Sequence, residues 1–513
     1  IKDTGVNWMK NVWLVVLVIF LLGLSLRIID LGTGLTTDEI LWIDRSPGFI
    51  DAILSHQWDE TFKAPHPGVV TMWLSGISIK AFNGSGFPAK LSFARAPTVI
   101  ITSLSIILIF YFIRILFNTK IALLSATLIA LDPFLLAHSR LIHLDAILTS
   151  FMLLCLLSLM VFLKKPRAEL LIMAGILLGL SILTKLPAIF LIAFIPFIVL
   201  FLSNETKKKS FMYILFITAI AAMTFFLLWP AMWVSPIETL MKMVFDQQSG
   251  LEVAVKSPHG SGFFLGAIDN GNHGLLFYPV SFLMMETPIT LLFLPIFLAI
   301  GIKKLIKDNL NFFNKNIITL CAYIILFSMQ MILSLKAFPR YILPVFPAVD
   351  ILVAAGIYFV FKKYINKNSV FYLLLGSIIL LHLSLILPIS PYFLSYTNPI
   401  VFGGPSNAPN MTLMGWGEGN DLAANYLNEK PDAQNITVAV DYYGFAQYFI
   451  GKTIPLDESV DFIDGVDYIV FYISALQRDW SKDPWEYYKT KEPEKVIKLN
   501  GINYCYVYKT SRH

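Results

Sequence analysis

Residues 12–42 have the sequence VWLVVLVIFLLGLSLRIIDLGTGLTTDEILW, an apolar segment followed by two adjacent acids. The part from Val12 to Ile29 is close in length to the ~20 residues that a membrane helix needs. It lacks the small-residue cleavage site of a signal peptide. We therefore expect a retained membrane helix with Asp38 and Glu39 just beyond it. Thr36 and Glu39 also fit a capping box, so the acids could serve only to begin a helix.

The composition is typical of a polytopic membrane protein. Hydrophobic residues make up 56% of the 513-residue chain and charged residues 14%, against about 25% charged residues in soluble domains. The net charge is +5, but Lys and Arg form short clusters between apolar runs, which indicates orientation signals and no nucleic-acid surface. Cys155 and Cys321 lie in apolar runs and Cys505 stands alone, so no disulfide framework is expected.

Apolar runs of spanning length recur along the chain. They cover 12–29, 95–116, 119–137, 144–163, 168–184, 186–202, 211–229, 277–300, 315–335, 341–361 and 369–388, with a weaker run at 66–82. An open chain can cross lipid only as helices, because every backbone polar group must be satisfied internally. We predict an α-helical membrane protein with about 11 transmembrane helices.

Basic clusters predict the orientation of these helices. The clusters are Lys2 and Lys10, Lys164–Arg167, Lys207–Lys209, Lys303–Lys307 and Lys362–Lys367. Placing them in the cytoplasm puts 30–65, 231–276 and the chain after 389 outside. This requires that one of the runs 66–82, 95–116 and 119–137 does not cross fully, and the sequence leaves open which one.

The chain is predicted to form two domains, a transmembrane domain at 1–390 and a small extracytoplasmic α/β domain at 391–513. In the first, loop 30–65 is expected to hold two short interfacial helices, with Pro47 as a first helical residue. The Gly- and Pro-rich segment 231–276 is expected to be a mobile external loop over a site. Alternating helix-like and strand-like stretches after 415 predict the α/β domain, whose role the sequence does not indicate.

Ionisable groups beside membrane spans are costly and are therefore candidates for function. Five places on the predicted outer face carry them: Asp38 and Glu39 with Arg45, His66, Arg140 with Asp145, Lys185, and Lys336 with Arg340. Ordinary loop residues or a snorkelling lysine would also account for single members. Together they suit transfer from a phosphate-linked lipid, because cations can stabilise a leaving phosphate and a carboxylate can take the proton of the attacking group.

Several ordered motifs carry a family resemblance over roughly residues 8–430. They are Thr37–Glu39, Pro65–Gly68, Leu131–Phe134, Ser139–Asp145, Leu183–Lys185, Phe263–Gly266, Phe277–Val280, Arg340–Pro344 and Gly415–Gly419. The chain resembles the protein O-mannosyltransferase and aminoarabinose-transferase group of C-type glycosyltransferases, which use polyprenyl-phosphate sugars. The last four motifs resemble those of bacterial phospholipid-carrier-dependent members.

The resemblance implies a role for each matching residue. Asp38 matches the catalytic acid, a base or orienting group for the acceptor, and Glu39 matches its partner. Arg140 matches an arginine near the donor phosphate, and Lys185 and Arg340 are further candidates for that role. Asp145 and Arg45, which are charged residues of the same outer face, complete the predicted binding residues for the donor phosphate and lipid. His66 matches a position that lines a lipid-phosphate or metal site, and His259 lies in the loop that corresponds to the relatives' mobile external loop. The cofactor implied is a divalent ion held by His66, His259 and an acid.

The expected function is that of an integral membrane enzyme with its active site on the extracytoplasmic face. It would move a hexosyl or pentosyl group from a polyprenyl-phosphate donor to a lipid, glycan or protein acceptor with inversion. The large lumenal insert of the eukaryotic mannosyltransferases is absent from 231–276, so nothing in the sequence favours a protein acceptor. The alternative is a transporter or flippase of lipid-linked sugars, but we find no internal repeat typical of transporters.

Overall fold

The computed structural model describes residues 2–246, 252, 262–269, 273–307, 311–365, 367–456 and 465–510. Helices dominate this part of the chain. In order they are α1 Lys2–Ile28, α2 Thr37–Leu54, α3 Val69–Lys80, α4 Phe87–Leu116, α5 Thr119–Leu131, α6 Pro133–His138, α7 Asp145–Lys164, α8 Ala168–Thr184, α9 Phe190–Leu202, α10 Lys207–Leu228, α11 Ala231–Val234, α12 Pro236–Phe245, α13 Phe277–Met285, α14 Pro288–Lys307, α15 Phe312–Ile332, α16 Phe346–Tyr364, α17 Asn368–Ile386, α18 Ala408–Met411, α19 Asn420–Asn428, α20 Ile473–Gln477 and α21 Lys482–Tyr488.

Six helical segments in the described residues are long and apolar enough to cross a membrane. They are Phe87–Leu116, Asp145–Lys164, Lys207–Leu228, Phe312–Ile332, Pro339–Tyr364 and Asn368–Ile389. A seventh results if Phe277–Met285 and Pro288–Gly301, which are bent by 118°, form one broken span. The structure supports an α-helical membrane protein, but the predicted count of about 11 transmembrane helices is not confirmed.

The structure has fewer helices of spanning length than predicted because several apolar helices are short. Five apolar stretches have 10–17 residues: Val69–Lys80, Thr119–Leu131, Ala168–Thr184, Leu186–Leu202 and Val12–Ile28, the last being the apolar part of the longer helix α1. At 1.5 Å per residue, a helix of 17 residues covers about 26 Å, less than the ~30 Å hydrocarbon core. Of the three runs among which an incomplete crossing was expected, α4 is long enough with 30 residues, whereas α3 and α5 have 12 and 13.

The prediction of two short helices in loop 30–65 is wrong, because one continuous helix, α2, runs through Pro47. A proline inside a helix costs about 3 kcal/mol, so other contacts must offset it. Helix α2 buries Trp42 and Phe49 and packs closely on α3. At Gly76 of α3, a Cβ atom would come within 2.5 Å of the Ser46 carbonyl oxygen, which shows how closely the two backbones approach.

The segment 231–276 is described only in part. It begins with α11 and α12 and later forms a hairpin of β1 Gly262–Phe264 and β2 Ala267–Asp269. The hairpin is attached to α18, because the N–H of Leu265 donates to the Met411 carbonyl at 2.9 Å. The remainder, including His259, lies outside the described residues, and the predicted mobility of the segment stays a prediction.

The predicted C-terminal α/β structure is present. Its strands are β3 Thr437–Val440, β4 Lys452–Pro455, β5 Tyr468–Tyr472, β6 Lys495–Leu499 and β7 Ile502–Lys509, in the order β4-β3-β5-β7-β6. Strand β3 is parallel to β4 and β5, and β7 is antiparallel to β5 and β6. Strand β4 was missed, and the helix expected at 443–450 is a short 3-10 helix at Tyr443–Gln447. The domain boundary at 390 stays a prediction.

Candidate active site

Glu39 is enclosed in a buried ion pair with Arg95. Its side chain has no exposed surface, and Nε and Nη2 of Arg95 lie 2.7 and 2.5 Å from its two carboxylate oxygens. The N–H groups of Ile142 and Thr36 donate to the same oxygens at 2.9 and 3.0 Å. Arg95 also donates to three backbone carbonyls, those of Leu31, Thr33 and Gly34. Glu39 therefore joins α2, α4 and the bend before α7, and all its acceptor sites are used.

Asp38 has a different environment from its neighbour. Its side chain is 31% exposed, and its Oδ2 lies 3.1 Å from His143 Nε2 and 3.1 Å from Arg340 Nη2. Burial would raise the pKa of Asp38, but the charges of Arg340, His143 and Lys185 outweigh it and hold the pKa well below its usual range. Asp38 is thus an ionised carboxylate that is partly open to the outside of the protein.

A second carboxylate, Asp145, completes the charged group. Its Oδ1 accepts a hydrogen bond from Lys185 Nζ at 2.6 Å, and its Oδ2 lies 2.9 Å from His143 Nδ1 and 3.6 Å from Arg340 Nε. His143 lies between both acids, and Asp145 and Asp38 raise its pKa above the usual value although burial alone would lower it. We call Asp38, His143, Asp145, Lys185 and Arg340 the Asp38 cluster.

Helix ends bring the Asp38 cluster together. Asp38 and Asp145 lie in the first turns of α2 and α7, where helix dipoles favour negative charge. Lys185 follows the last residue of α8, and Arg340 is the second residue of the 3-10 helix Pro339–Val345. The basic residue Lys164 ends the 20-residue helix α7, about 29 Å from Asp145. The site therefore lies at the opposite end of α7 from a predicted cytoplasmic cluster.

Aromatic side chains form one wall of the Asp38 cluster. The Arg340 guanidinium lies 4.2 Å from the centre of the Trp416 ring, and the His143 ring meets the same indole edge-on at 5.2 Å. Lys185 Nζ lies 4.3 Å from the centre of the Tyr341 ring. Cations over aromatic faces are stabilised without losing their charge. The rings of Tyr341 and Trp416 therefore hold Lys185 and Arg340 close to the acids.

Residues after 391 also hold the start of α2. The N–H of Thr37 donates to the Trp416 carbonyl at 3.2 Å, and its hydroxyl donates to the Tyr442 hydroxyl at 2.8 Å. The Tyr442 hydroxyl in turn donates to the Trp416 carbonyl at 2.6 Å. Gly417 permits this approach, since a Cβ there would lie 1.9 Å from the Leu35 carbonyl oxygen. The C-terminal part of the chain thus fixes the residue next to Asp38.

Two other predicted phosphate-binding residues stand apart from the Asp38 cluster. Arg140 is buried, donates to the carbonyls of Leu26 and Asp30 at 2.8 and 3.2 Å, and packs on the Phe393 ring. Arg45 lies over the Trp42 ring, 5.4 Å from its centre, and is half-buried. Neither has a direct contact with Asp38 or Asp145 in the described part of the chain, so their donor-binding roles stay predictions.

His66 lies close to the Asp38 cluster, and its predicted role in a metal site stays a prediction. The N–H of Gly68 donates to the Thr184 carbonyl at 3.1 Å, which brings this turn close to Lys185. Burial, together with the charges of Lys185 and Arg45, lowers the pKa of His66 to about 4. The other predicted ligand, His259, lies outside the described residues.

Sequence reasoning gave no role to His143, Arg95, Trp416 or Tyr442. The sequence contains an indication of a role for His143, because it lies two residues before Asp145 in a polar stretch between apolar runs. Arg95 is 56 residues from Glu39 at the beginning of an apolar run, and nothing local pairs the two. Trp416 and Tyr442 are more than 370 residues from Thr37, so only the folded chain reveals their contact with the start of α2.

Comparisons with known proteins agree with this architecture. Residues 65–229 match the family model described as dolichyl-phosphate-mannose-protein mannosyltransferase. No curated protein sequence matches the chain with significance. ArnT from Cupriavidus metallidurans, solved with bound undecaprenyl phosphate, is 14% identical with a TM-score of 0.51, covering 98% of both chains.

Archaeal oligosaccharyltransferases have the same fold. The Archaeoglobus fulgidus enzyme in the apo form is 14% identical with a TM-score of 0.54, over 91% of this chain and 70% of that one. Archaeoglobus fulgidus AglB, solved with an inhibitory peptide and a dolichol-phosphate, is 13% identical with a TM-score of 0.51, over 93% and 72%. The family match and the shared fold confirm the predicted resemblance of this membrane protein to the C-type glycosyltransferases of the protein O-mannosyltransferase and aminoarabinose-transferase group.

Proposed function

We propose that this protein transfers a sugar from a polyprenyl-phosphate carrier to an extracytoplasmic acceptor, with inversion at the anomeric carbon. The observation that carries the proposal is the environment of Asp38, a partly exposed carboxylate 3.1 Å from both Arg340 and His143. An ionised acid next to fixed cations at the end of a helix bundle suits a reaction that needs both a proton acceptor and a phosphate site.

Lys185 and Arg340 are the proposed ligands of the donor phosphate. Both side chains are about nine-tenths buried and face carboxylates, Lys185 at 2.6 Å from Asp145 and Arg340 at 3.1 Å from Asp38. A phosphate entering the site would compete for these cations, because charge-assisted contacts to phosphate are strong. When the donor is bound, Arg340 would face the phosphate instead of Asp38. Asp38 would then be a stronger base, because a positive charge beside it is neutralised.

The proposed reaction is a single displacement. A nucleophilic group of the acceptor attacks the anomeric carbon, the bond from that carbon to the phosphate oxygen breaks, and the lipid phosphate leaves with the electron pair. Asp38 orients the nucleophile and takes its proton, while Lys185 and Arg340 stabilise the negative charge that develops on the phosphate. One displacement at the anomeric carbon inverts its configuration. Glu39 would contribute by holding α2 through Arg95.

The proposed location is the extracytoplasmic face of the membrane. Asp145 and Lys164 occupy opposite ends of α7, about 29 Å apart, and basic residues between spans favour the cytoplasm. The fold neighbours ArnT and AglB were solved with undecaprenyl phosphate and a dolichol-phosphate, which supports a lipid-phosphate donor here. The transporter alternative is not favoured, since the family and fold neighbours are glycosyltransferases.

The experiment is a transfer assay with purified protein in lipid nanodiscs. Undecaprenyl phosphate carrying a radiolabelled hexose or pentose is supplied with a lipid or glycan extract of the cell envelope, and products are separated and their anomeric configuration is determined. We expect transfer from at least one carrier-linked sugar with inversion, loss of transfer in Asp38→Asn, and full transfer in Asp44→Asn, a control on the exposed side of α2. Transfer with retention, or consumption of nucleotide sugars only, would contradict the proposal.

A further inference from the structure

We infer that Asp132, Glu286 and Asp350 form a binding site for a divalent cation, separate from the Asp38 cluster. Each residue offers a carboxylate oxygen, and these three oxygens lie within 4.8 Å of one another. The three residues are at most 1% exposed. None of them belongs to the predicted catalytic or donor-binding residues.

The three carboxylates come from separate elements of the bundle. Asp132 lies between α5 and α6, and its Oδ1 accepts the N–H of Leu135 at 2.6 Å as a helix cap. Glu286 lies at the 118° bend between α13 and α14, and Asp350 lies within α16. An ion held by all three would therefore join two helix breaks and one continuous helix.

Each carboxylate has an oxygen without a partner. Asp132 Oδ2, Glu286 Oε1 and Asp350 Oδ2 are buried and form no hydrogen bond with the described residues. No described cationic side chain lies within ion-pair distance of these three carboxylates. A buried carboxylate that lacks a partner is strongly destabilising, so three together indicate a missing positive group.

The local charge points to a divalent ion. With a cation bound, the three ionised carboxylates would carry three negative charges, and Arg27 is the cation whose charge acts on Asp132. Arg27 gives its Nη1 hydrogen bonds to the carbonyls of Gly23 and Ala130, at 2.9 and 3.0 Å, and so remains beside the site without pairing with an acid. Arg27 offsets one of the three negative charges, and one divalent cation would neutralise the remaining two.

The donor set indicates the class of the ion. All three ligands are carboxylate oxygens, which suit hard cations such as Ca²⁺, Mg²⁺ and Mn²⁺. Oxygens on opposite sides of a Ca²⁺ ion are about 4.8 Å apart, twice a Ca–O distance of about 2.4 Å, and those around Mg²⁺ about 4.2 Å. Separations of up to 4.8 Å fit Ca²⁺ as they stand. Binding of Mg²⁺ would require every separation to be at most about 4.2 Å.

The ion would stabilise the base of the candidate active site. Asp132 begins α6, whose last residue, His138, packs against the Trp416 ring at 5.9 Å. The backbone carbonyl of Glu286 accepts a hydrogen bond from Asn398 Nδ2 at 2.7 Å, which connects the bend to the C-terminal part of the chain. A cation at this position fixes both connections without contacting the substrate.

The test measures metal content and thermal unfolding of the full chain in detergent. Protein purified without chelator is analysed by mass spectrometry for metals and melted before and after dialysis against EDTA. Ca²⁺, Mg²⁺ and Mn²⁺ are then added back separately. We expect about one equivalent of a divalent cation per chain, a lower melting midpoint after EDTA, and recovery with at least one of the three ions.

Two variants locate the ion. Asp350→Asn is expected to lose the bound metal and the response to EDTA, whereas Asp44→Asn, which changes an exposed acid, is expected to keep both. If Asp350→Asn does not fold, Glu286→Gln takes its place, and the wild-type metal content still decides. Wild-type protein without stoichiometric metal would overturn the inference and would indicate that the three carboxylates share protons instead. Metal retained by the folded variants would also overturn it, because the ion would then bind elsewhere.

Discussion

Glu39→Gln removes the negative charge that Arg95 faces in the protein interior and keeps the size of the side chain. Removing one partner of a buried ion pair costs about 3–5 kcal/mol, because the other charge stays buried. We expect the lower end, about 3 kcal/mol, since the glutamine keeps one acceptor oxygen and Arg95 keeps its hydrogen bonds to three backbone carbonyls. The loss should appear as a melting midpoint several degrees below that of the parent.

The neighbouring substitution provides the comparison. Asp38→Asn changes a carboxylate that is 31% exposed, and its loss should cost less stability than that of Glu39, because Asp145 still faces His143 and Arg340. Both variants would be melted in the same detergent by intrinsic tryptophan fluorescence. Replacing Glu39 and Arg95 together by methionine should recover part of the stability, because no charge then stays buried. A Glu39→Gln protein that melts like the parent and yet lacks activity would refute the structural role and favour a chemical one.

Three further predictions concern the Asp38 cluster and its supports. Lys185→Met should raise the KM for the lipid donor about 10- to 100-fold in initial-rate assays, because one charge-assisted contact of about 1.5–3 kcal/mol is lost. A KM equal to that of the parent would show that Lys185 does not bind the donor phosphate. The pKa of His143 is raised, so its charged pair with Asp38 is complete below about pH 6.5 and is lost as pH rises through the raised pKa. His143→Gln should therefore flatten the alkaline side of the pH–rate profile, and an unchanged profile would contradict this origin. Tyr442→Phe removes the hydroxyl between Thr37 and Trp416 and should lower kcat about tenfold at an unchanged donor KM, whereas a change in KM alone would count against a positioning role.

Hydropathy predicted the membrane location better than the number of spans. A run such as 119–137 is apolar because its helix, α5, is surrounded by other helices, and 11 of its 13 residues are buried. Burial by protein and burial by lipid select the same residue types, so composition cannot distinguish the two. Helix length does distinguish them, and it depends on where breaks such as Asp132–Pro133 fall.

Charges at helix ends were predictable, whereas their partners were not. Asp38, Asp145, Lys185 and Arg340 interrupt an otherwise apolar chain, and the high cost of charge near lipid marks such residues. The division of labour between Asp38 and Glu39 depends on Arg95 and Arg340, which are 56 and 302 residues away. Only the tertiary packing determines which of two adjacent acids is enclosed and which stays open.

The central claim, that Asp38 performs the chemistry, is tested most directly by the kcat of Asp38→Asn with a carrier-linked sugar. The measurement uses folded protein, verified by its melting midpoint, and includes the donor KM. We predict a kcat reduced by at least about 100-fold, the effect typical of losing a general base, with a KM within a few-fold of the parent. A kcat equal to that of the parent would contradict the assignment.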